Sequence, residues 1–507
     1  MAKYLLAHDL GTSGDKVTLF DTDGNSVSSS TIQYPVHYFG EHCAEQDPEN
    51  WWNAVIEGTR KTISEIDPAD VLGISFSAQM QCCLPADREG RPLRPAMIWA
   101  DHRAVREKEF LTREIGFEDF CGITGHRPNE SYTLEKIMWL KSHEPDVYRK
   151  TYKVLQVKDY IIFRLTGAFV TDYSDASGTN ALDLRRMDWS EPILTASGID
   201  PALFPELHQS VDVAGYVTRE ASELTGLAEG TPVVCGGGDG PCSAVGAGCV
   251  QDNVLFATFG TSAWIGGTSK QIFEDKDRIL MCFAHVIPGK YMPCGTMQAA
   301  GSSYSYISGL LEPGADYEEL DRLIEAAGPG AGGLIFLPYL IGERAPRWNE
   351  KCSGAFLGMR MEHGKPEYLR AVIEGVAMNL NLILEAYRRQ MRAEEMILTG
   401  GGARSDTVCQ ILSDVLQVRL NVPDHVDTAT SMAAAMIAGV GVGVYPDFGE
   451  IRRFLGQDRS FRPDQRNAAL YQQMERIFDD SYHALEPVFD ELETLHRDEA
   501  GEQADHA

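Results

Sequence analysis

The sequence predicts an α/β fold made of two large, related domains. The chain has 507 residues, which is more than one hydrophobic core usually organises. Apolar stretches of strand length alternate with amphipathic stretches of helix length along it. One pattern also occurs near the N terminus and again about half a chain later: an apolar strand, a Gly-Thr-Ser turn and a second apolar strand. An internal repeat of this kind indicates two halves with the same architecture.

The first copy of this pattern starts the chain. Apolar residues lead to Asp9 at a strand end, and the turn that follows contains Gly11, Thr12, Ser13 and Gly14. Glycines let the backbone approach an anion closely, hydroxyl and amide groups donate hydrogen bonds, and Asp9 can hold a cation. The turn suits a nucleotide polyphosphate with its magnesium, and an ordinary hairpin turn is the alternative. It is not a Walker A loop, because no Gly-Lys-Ser/Thr and no helix follow.

The second copy lies at residues 254–265, with Gly260, Thr261 and Ser262 in its turn. Two such hairpins, one in each half, favour phosphate binding over a plain turn. They predict two related domains that face one nucleotide.

The composition limits the partners and the compartment. Lys and Arg total 45 against 74 Asp and Glu, a net charge of −29, which argues against nucleic acid and anionic membranes. The sequence contains no signal peptide and no apolar run long enough to span a bilayer, so a cytoplasmic protein is expected. The 11 cysteines show no zinc-site spacing and are expected to be free thiols.

Several predicted strands of the first half end in polar residues. The strand at 71–77 leads to Met80 and Gln81, and the apolar segment at 95–103 ends near Asp101. Ligands commonly bind at strand ends in α/β sheets, so these three side chains are candidates for binding a substrate. Between the first hairpin and that strand, Asp47 precedes Pro48 as a helix N-cap followed by proline at the first helical position.

Asp239 is the candidate for catalysis. A strand at 231–235 feeds three consecutive glycines, and this carboxylate follows them directly. A glycine backbone can expose such a group at the floor of a cleft, and the second hairpin lies just downstream. A simple helix N-cap is the alternative.

The second half also contains turns that suit a nucleoside. Gly301 lies where a helix of small residues opens, and residues 396–405 read as a strand, a glycine turn and a helix. That turn, with Gly401 and Gly402, can lie against a flat adenine ring while Ser405 caps the helix; a plain β-to-α connection is the alternative. Long helices are predicted at 366–388 and 429–443.

Taken together, these motifs resemble the FGGY carbohydrate kinases, in particular the xylulokinase-like branch. The likeness runs from about Lys3 to about Gly441, and its motifs lie at 9–14, 45–48, 236–239, 259–262, 337–344 and 400–405. Residues 131–140 resemble the first signature region of the family, from which Ser142 departs. Residues 354–374 resemble the second, from which Tyr368 departs.

The resemblance implies two ribonuclease H-like domains, as in actin and hexokinase, flanking a catalytic cleft. The first would span residues 1–247 and the second 248–507, with the last helices packing back on the first domain. It also implies ATP-dependent phosphorylation of a sugar or polyol hydroxyl, with ATP and Mg²⁺ as cofactors and a homodimer as a possible assembly.

The resemblance also assigns roles by position. Asp239 falls on the family's catalytic base and Asp9 on its magnesium-associated carboxylate, acting indirectly or through water. Met80 and Gln81 fall on the sugar-contacting pair. The ATP-binding positions are Gly11, Thr12, Ser13, Gly260, Thr261, Ser262, Gly301, Gly401, Gly402 and Ser405.

Three positions depart from the xylulokinase pattern. Gln81 stands where a histidine is usual, Gly240 where an asparagine is usual, and His8 where an apolar residue is usual. The expected acceptor is a ketopentose such as D-xylulose, and the alternatives are another ketose, a polyol such as glycerol or erythritol, or an aldonate such as gluconate. An actin-like or chaperone-like ATPase is the alternative from another class.

Overall fold

Two seven-stranded sheets, one in each half of the chain, form the framework of the protein. The computed structural model describes residues 2–40, 42–424, 428–456 and 459–504. In the first half the strands are β1 (Tyr4–Leu10), β2 (Gly14–Asp21), β3 (Ser26–Gln33), β4 (His37–Phe39), β5 (Cys43–Gln46), β6 (Val71–Ala78), β7 (Leu84–Ala86), β8 (Ala96–Met97), β9 (Lys153–Leu155), β10 (Val170–Asp172), β11 (Leu182–Asp183), β12 (Asp188–Trp189), β13 (Glu206–His208), β14 (Val213–Tyr216), β15 (Pro232–Val234) and β16 (Gly237–Gly238). In the second half they are β17 (Val254–Phe259), β18 (Ala263–Thr268), β19 (Met281–Ala284), β20 (Tyr291–Met297), β21 (Ile335–Leu337), β22 (Ala355–Leu357), β23 (Glu395–Thr399), β24 (Arg419–Val422) and β25 (Arg459–Phe461).

The α-helices lie between and around these strands. They are α1 (Pro48–Thr62), α2 (Val105–Ile115), α3 (Phe117–Thr124), α4 (Thr133–His143), α5 (Pro145–Lys150), α6 (Val157–Thr166), α7 (Tyr173–Ser177), α8 (Glu191–Ser197), α9 (Arg219–Thr225), α10 (Asp239–Gly246), α11 (Gly301–Leu311), α12 (Tyr317–Ala327), α13 (Lys365–Arg388), α14 (Asp406–Leu416), α15 (Ala429–Gly441) and α16 (Ala468–Ala504).

The two sheets share one strand order, which confirms the predicted fold class. The first sheet runs β14-β15-β6-β1-β2-β3, and the second runs β19-β20-β18-β17-β23-β24-β25. In the first sheet β1 is antiparallel to β2 and parallel to β6. In the second, β17 has the same relations to β18 and β23. Each half therefore places its Gly-Thr-Ser turn at the carboxyl end of a central strand.

The local signals of the sequence correspond to real elements. Asp47 caps α1 by accepting a hydrogen bond from the backbone N–H of Glu49, and Pro48 is the first helical residue. α1 buries its Trp51 face against the first sheet. The predicted helix at 429–443 is α15, which ends at Gly441 rather than at residue 443.

One late helix, α15, returns to the first half and packs on β1 and β6. Small residues let α15 approach α10 closely. An added side-chain carbon at Gly246 of α10 would lie 2.0 Å from the carbonyl oxygen of Ala429, the first residue of α15. This packing brings a residue from the end of the chain beside β1. Within the described part of the chain, no helix combines the length and apolar character needed to cross a membrane.

Candidate active site

A cavity of about 500 Å³ lies between the two halves. Five of the predicted site residues line it: Asp9, Gly11, Met80, Gln81 and Asp239 from the first half. From the second half, the predicted hairpin residue Ser262 also lines it. Residues far apart in sequence therefore meet around one space, as expected of a cleft between two domains.

Asp239 is the first residue of α10, at the floor of this cavity. The N-cap residue of α10 is Gly238, so the alternative that Asp239 is a simple cap is wrong. Its Oδ1 accepts a hydrogen bond of 2.7 Å from the backbone N–H of Gly240. The preceding Gly236 has φ +74°, and an added side-chain carbon there would lie 2.4 Å from the carbonyl oxygen of Phe76, so only glycine fits this turn.

The environment of Asp239 changes its acidity. Its side chain is open to the cavity, but the cavity itself lies deep between the halves. Desolvation, together with the nearby charge of Asp9, raises the pKa of Asp239 to about 7. A carboxyl group with a pKa near neutrality is well matched to accept a proton at physiological pH.

Asp9 lies one residue before the end of β1. Its Oδ2 accepts a 2.6 Å hydrogen bond from the hydroxyl of Thr430, which α15 brings to it. Burial raises the pKa of Asp9, and this effect outweighs the hydrogen bonds from Thr430 and Ser77, which lower it. Two carboxyl groups with raised pKa values therefore face one cavity, an arrangement that a cation would stabilise.

The described residues contain no cluster of three or more His, Cys, Asp or Glu that could hold a metal ion without help. Asp9 fits a different arrangement, in which a divalent ion is shared with substrate phosphates and water, as is usual for Mg²⁺. All eleven cysteines are free thiols, and all except Cys43 are buried.

The first hairpin is held by side chains. The indole Nε1 of Trp99 donates to the hydroxyl of Thr12 at 2.9 Å, and Gln46 Nε2 donates to the carbonyl of Thr12 at 2.7 Å. The phenolic hydroxyl of Tyr34 donates to the carbonyl of Gly11 at 2.6 Å. These bonds fix the turn, while Ser13 remains exposed at its tip.

The second hairpin is held by the start of α11. The backbone N–H of Gly301 donates to the carbonyl of Gly260 at 2.9 Å, and that of Ser302 donates to the carbonyl of Thr261 at 3.1 Å. An added side-chain carbon at Gly301 would lie 2.4 Å from the same Gly260 oxygen. The structure thus places Gly301 directly on this hairpin.

The glycine turn after β23 lies beside the second hairpin, because β23 is the parallel neighbour of β17. Gly402 packs on the ring of Phe259, and Gly401 is exposed with no atom within 4 Å of an added side-chain carbon. Ser405 caps α14 by accepting from the N–H of Val408, and its hydroxyl donates to Asp321.

Gln81 has a strained backbone. Its φ is +64°, in the left-handed region that residues other than glycine rarely occupy. The buried ammonium of Lys136 donates to the carbonyl of Gln81 at 2.9 Å and to that of Ile98 at 2.6 Å. Backbone strain that a buried group maintains is typical of functional sites.

Asp101 does not line this cavity. Its side chain is fully buried and accepts hydrogen bonds from the N–H of Ala44 at 2.8 Å and from the guanidinium of Arg103. The short spacing from Asp101 to Arg103 favours this internal pair.

The departures at Gly240 and His8 have different consequences. An added side-chain carbon at Gly240 would meet only ordinary contacts, the nearest at 3.4 Å, so glycine leaves open space beside Asp239. His8 points away from the cavity: its Nδ1 lies 2.8 Å from Asp15 Oδ2, and its ring stacks on Phe76.

Several cavity residues were not predicted as site residues. Trp99, Arg127, Trp264, Arg344 and Trp348 all line the space around Asp239. Arg344 belongs to a motif that carried the resemblance, so it could have been nominated. Trp99 and Trp264 belong to segments at 95–103 and 254–265 that the sequence indicated, whereas Arg127 and Trp348 meet only where the two halves pack.

Comparison with known proteins agrees with this geometry. The model of the FGGY family of carbohydrate kinases, N-terminal domain, matches residues 4–246, and that of the C-terminal domain matches residues 255–442. The chain is 32% identical to a xylulose kinase from Bacillus subtilis (strain 168), over 95% of this chain and 97% of that protein.

Two solved structures from Lactobacillus acidophilus are similar over 97% of this chain and 100% of theirs. They are a gluconate kinase and a ligand-bound xylulose kinase, each with a TM-score of 0.92 and 28% identity. Both domains of the family thus match this chain, in the family's order and over most of its length. The chain belongs to the FGGY family of carbohydrate kinases and is an ATP-dependent sugar kinase.

Proposed function

We propose that this enzyme transfers the γ-phosphoryl group of ATP to a hydroxyl of a ketopentose, with D-xylulose as the first candidate. The observation that carries the proposal is Asp239, a carboxyl group with a pKa of about 7 at the floor of the cavity between the two hairpins. The similarity to xylulose kinases supports the choice of sugar.

In this mechanism Asp239 accepts the proton of the acceptor hydroxyl as that oxygen attacks the γ-phosphorus. The two Gly-Thr-Ser turns hold the phosphates through backbone and hydroxyl donors, with Thr12 and Ser13 on one side and Thr261 and Ser262 on the other. Asp9 would hold Mg²⁺, which neutralises phosphate charge. The turn at Gly401 and Gly402, with Gly301 opposite, would take the nucleoside, and closing of the two domains would exclude water from the site.

Met80 and Gln81 would contact the acceptor. Met80 packs beside the turn that precedes Asp239, since an added carbon at Gly238 would lie 2.5 Å from its sulfur. Gln81 can both donate and accept hydrogen bonds, and buried polar contacts of this kind dominate discrimination between sugars. Asp101 would support the site from behind through Arg103 rather than touch the acceptor.

A second candidate acceptor is an aldonate such as gluconate. Arg127 and Arg344 line the cavity from opposite halves, and no carboxylate of the described residues pairs with either. Burial lowers the pKa of Arg127, whose guanidinium lies between the rings of Phe117 and Trp348 and donates through Nε to the carbonyl of Arg278. Such unpaired cations favour an acceptor with a carboxylate.

The same proposal includes the remaining expectations. The domains would divide at residues 247 and 248, the enzyme would act in the cytoplasm, and it would form a homodimer. Limited proteolysis and light scattering of the purified chain measure the first and the last of these directly.

An ADP-release assay across ketopentoses, polyols and aldonates, with and without Mg²⁺, tests the function. We expect the highest kcat/KM with D-xylulose and a marked rise in its KM in the Gln81→Ala variant. If gluconate is preferred, Arg127→Met should lower its turnover, while Arg219→Met, at an exposed arginine outside the cavity, should not. ADP release that no sugar stimulates would contradict the kinase proposal.

A further inference from the structure

A buried hydrogen-bond network lies directly behind the turn that carries Asp239. Its centre is Asp172, which is fully buried at the end of β10. Its Oδ2 accepts from the hydroxyl of Ser174 at 2.5 Å, from the backbone N–H of Ser174 at 2.9 Å, and from the hydroxyl of Ser210 at 2.7 Å. The mechanism above makes no use of this cluster.

A buried lysine anchors the same carboxylate. Lys158 Nζ lies 2.9 Å from Asp172 Oδ1, 2.7 Å from Asp159 and 3.3 Å from Asp175, and all four side chains have at most 1% of their surface exposed. This single ammonium holds the three buried carboxyl groups together, because moving it away would leave buried carboxylates without a counter-charge. The Ser174 hydroxyl, which donates to Asp172, therefore has a fixed orientation.

The oxygen of that hydroxyl also accepts a hydrogen bond from the turn that carries Asp239. Ser174 Oγ accepts a 3.0 Å hydrogen bond from the backbone N–H of Gly238, the residue immediately before Asp239. It also packs against Gly237, where an added side-chain carbon would lie 2.8 Å from Oγ. On its other side the turn pairs with β6, Gly237 beside Ser77 and Gly238 beside Ala78. The Gly237–Gly238 peptide, one residue before Asp239, is thus held from both sides.

We infer that Ser174 is a positioning residue for the phosphoryl transfer: its hydroxyl, oriented by Asp172 and Lys158, fixes the peptide that aims the Asp239 carboxylate at the acceptor. The inference rests on the proposed role of Asp239 as the base. Ser174 does not line the cavity, so in this inference it acts through Asp239. An error of about 1 Å in the position of a catalytic group can cost about 10²-fold in rate.

Ser210 provides a matched control for Ser174. Both hydroxyls are buried and donate to the same oxygen of Asp172, but only Ser174 contacts Gly238. The link from Ser210 to the turn is its backbone carbonyl, which accepts from the N–H of Gly236 and which Ser210→Ala retains. The two variants therefore lose the same bond to Asp172 and differ in the bond to the catalytic turn.

The experiment measures kcat and the KM for ATP of Ser174→Ala and Ser210→Ala, with thermal unfolding of both. We expect Ser174→Ala to lower kcat by about 10- to 100-fold with the KM for ATP unchanged, and Ser210→Ala to stay within about twofold of the parent enzyme. Equal kcat values for the two variants at equal stability would overturn the inference. If Ser174→Ala does not fold, Ser174→Cys, which keeps the side-chain size with a weaker acceptor, is compared by the same criterion.

A double variant separates positioning from a general structural effect. If Ser174 acts through Asp239, adding Ser174→Ala to Asp239→Asn should cause no further loss of the residual turnover. The same fold loss in both backgrounds would contradict the inference. Near-normal turnover of Asp239→Asn alone would instead overturn the proposed function, so the two failures can be distinguished.

Discussion

The two Gly-Thr-Ser hairpins join equivalent strands of the two sheets but do not have the same chemistry. Asp9 of β1 and Thr258 of β17 occupy equivalent places, two residues before the turn glycine. Asp9 lies beside Ser77 of the parallel neighbour β6, and Thr258 lies beside Thr399 of β23. The first half thus has a carboxylate where the second half has a hydroxyl, whose oxygen lies 2.9 Å from that of Thr399.

The groups that hold the two hairpins in place also differ. Side chains such as Trp99 and Gln46 hold the first, whereas the backbone at the start of α11 holds the second. Among the described residues that line the shared cavity, the carboxyl groups are Asp9 and Asp239, both from the first half. In the proposed mechanism the first half therefore supplies the proton and metal chemistry, and the second half supplies the contacts to the neutral nucleoside.

The strongest test of this division is Asp239→Asn. General base catalysis typically contributes about 10²- to 10⁴-fold, so turnover should fall by that factor. ATP binding should remain, because the nucleotide contacts assigned to the second half are untouched. Steady-state ADP release and ATP titration measure the two effects, and loss of ATP binding in a folded variant would contradict the division.

Asp9→Asn and Thr258→Val form the matched pair for the two hairpins. Loss of a carboxylate that holds the metal through water should lower turnover about 10- to 100-fold and raise the Mg²⁺ concentration required. Thr258→Val removes one neutral hydrogen bond, worth about 1 kcal/mol, and should leave the Mg²⁺ requirement unchanged. Equal Mg²⁺ titration curves for Asp9→Asn and the parent enzyme would remove Asp9 from the metal site.

The pH dependence of kcat/KM should reflect the ionisation of groups from the first half. Asp239 accepts a proton only when ionised and its pKa is about 7, so kcat/KM should rise about tenfold per pH unit below 7 and level off above it. The charge of Asp9 is one cause of this raised pKa, so Asp9→Asn should move the inflection to lower pH. An inflection near pH 4 in the parent enzyme would contradict the raised pKa of Asp239.

The sequence was sufficient for the framework and the turns, because those depend on local chemistry. Strand, glycine turn and strand form a hairpin wherever they occur, and Asp47 before Pro48 starts a helix at once. The repeat of the hairpin also predicted that two halves would face each other, since similar units tend to pack in similar ways.

The sequence was insufficient where distant segments meet. The bond from Thr430 to Asp9 joins residues 421 positions apart, and the cage of Arg127 between Phe117 and Trp348 depends on how the halves pack. Asp101 shows the opposite error: a carboxylate near a strand end looks available, but Arg103, two residues later, takes it. In each case the burial of the side chain is decided by tertiary packing.

The smallest effects are expected within the second half, from Gly301→Ala and Gly401→Ala. The first adds a carbon 2.4 Å from the Gly260 carbonyl, and overpacking of this kind costs about 1–3 kcal/mol, so both stability and ATP affinity should fall. The second adds a carbon in open space, and exposed sites of this kind usually change stability by less than about 0.5 kcal/mol. Its ATP affinity should nevertheless fall, because the added methyl group lies where adenine is proposed to stack. Thermal unfolding and ATP titration measure both, and unchanged ATP affinity in Gly401→Ala would place the adenine elsewhere while leaving the hairpins as the phosphate site.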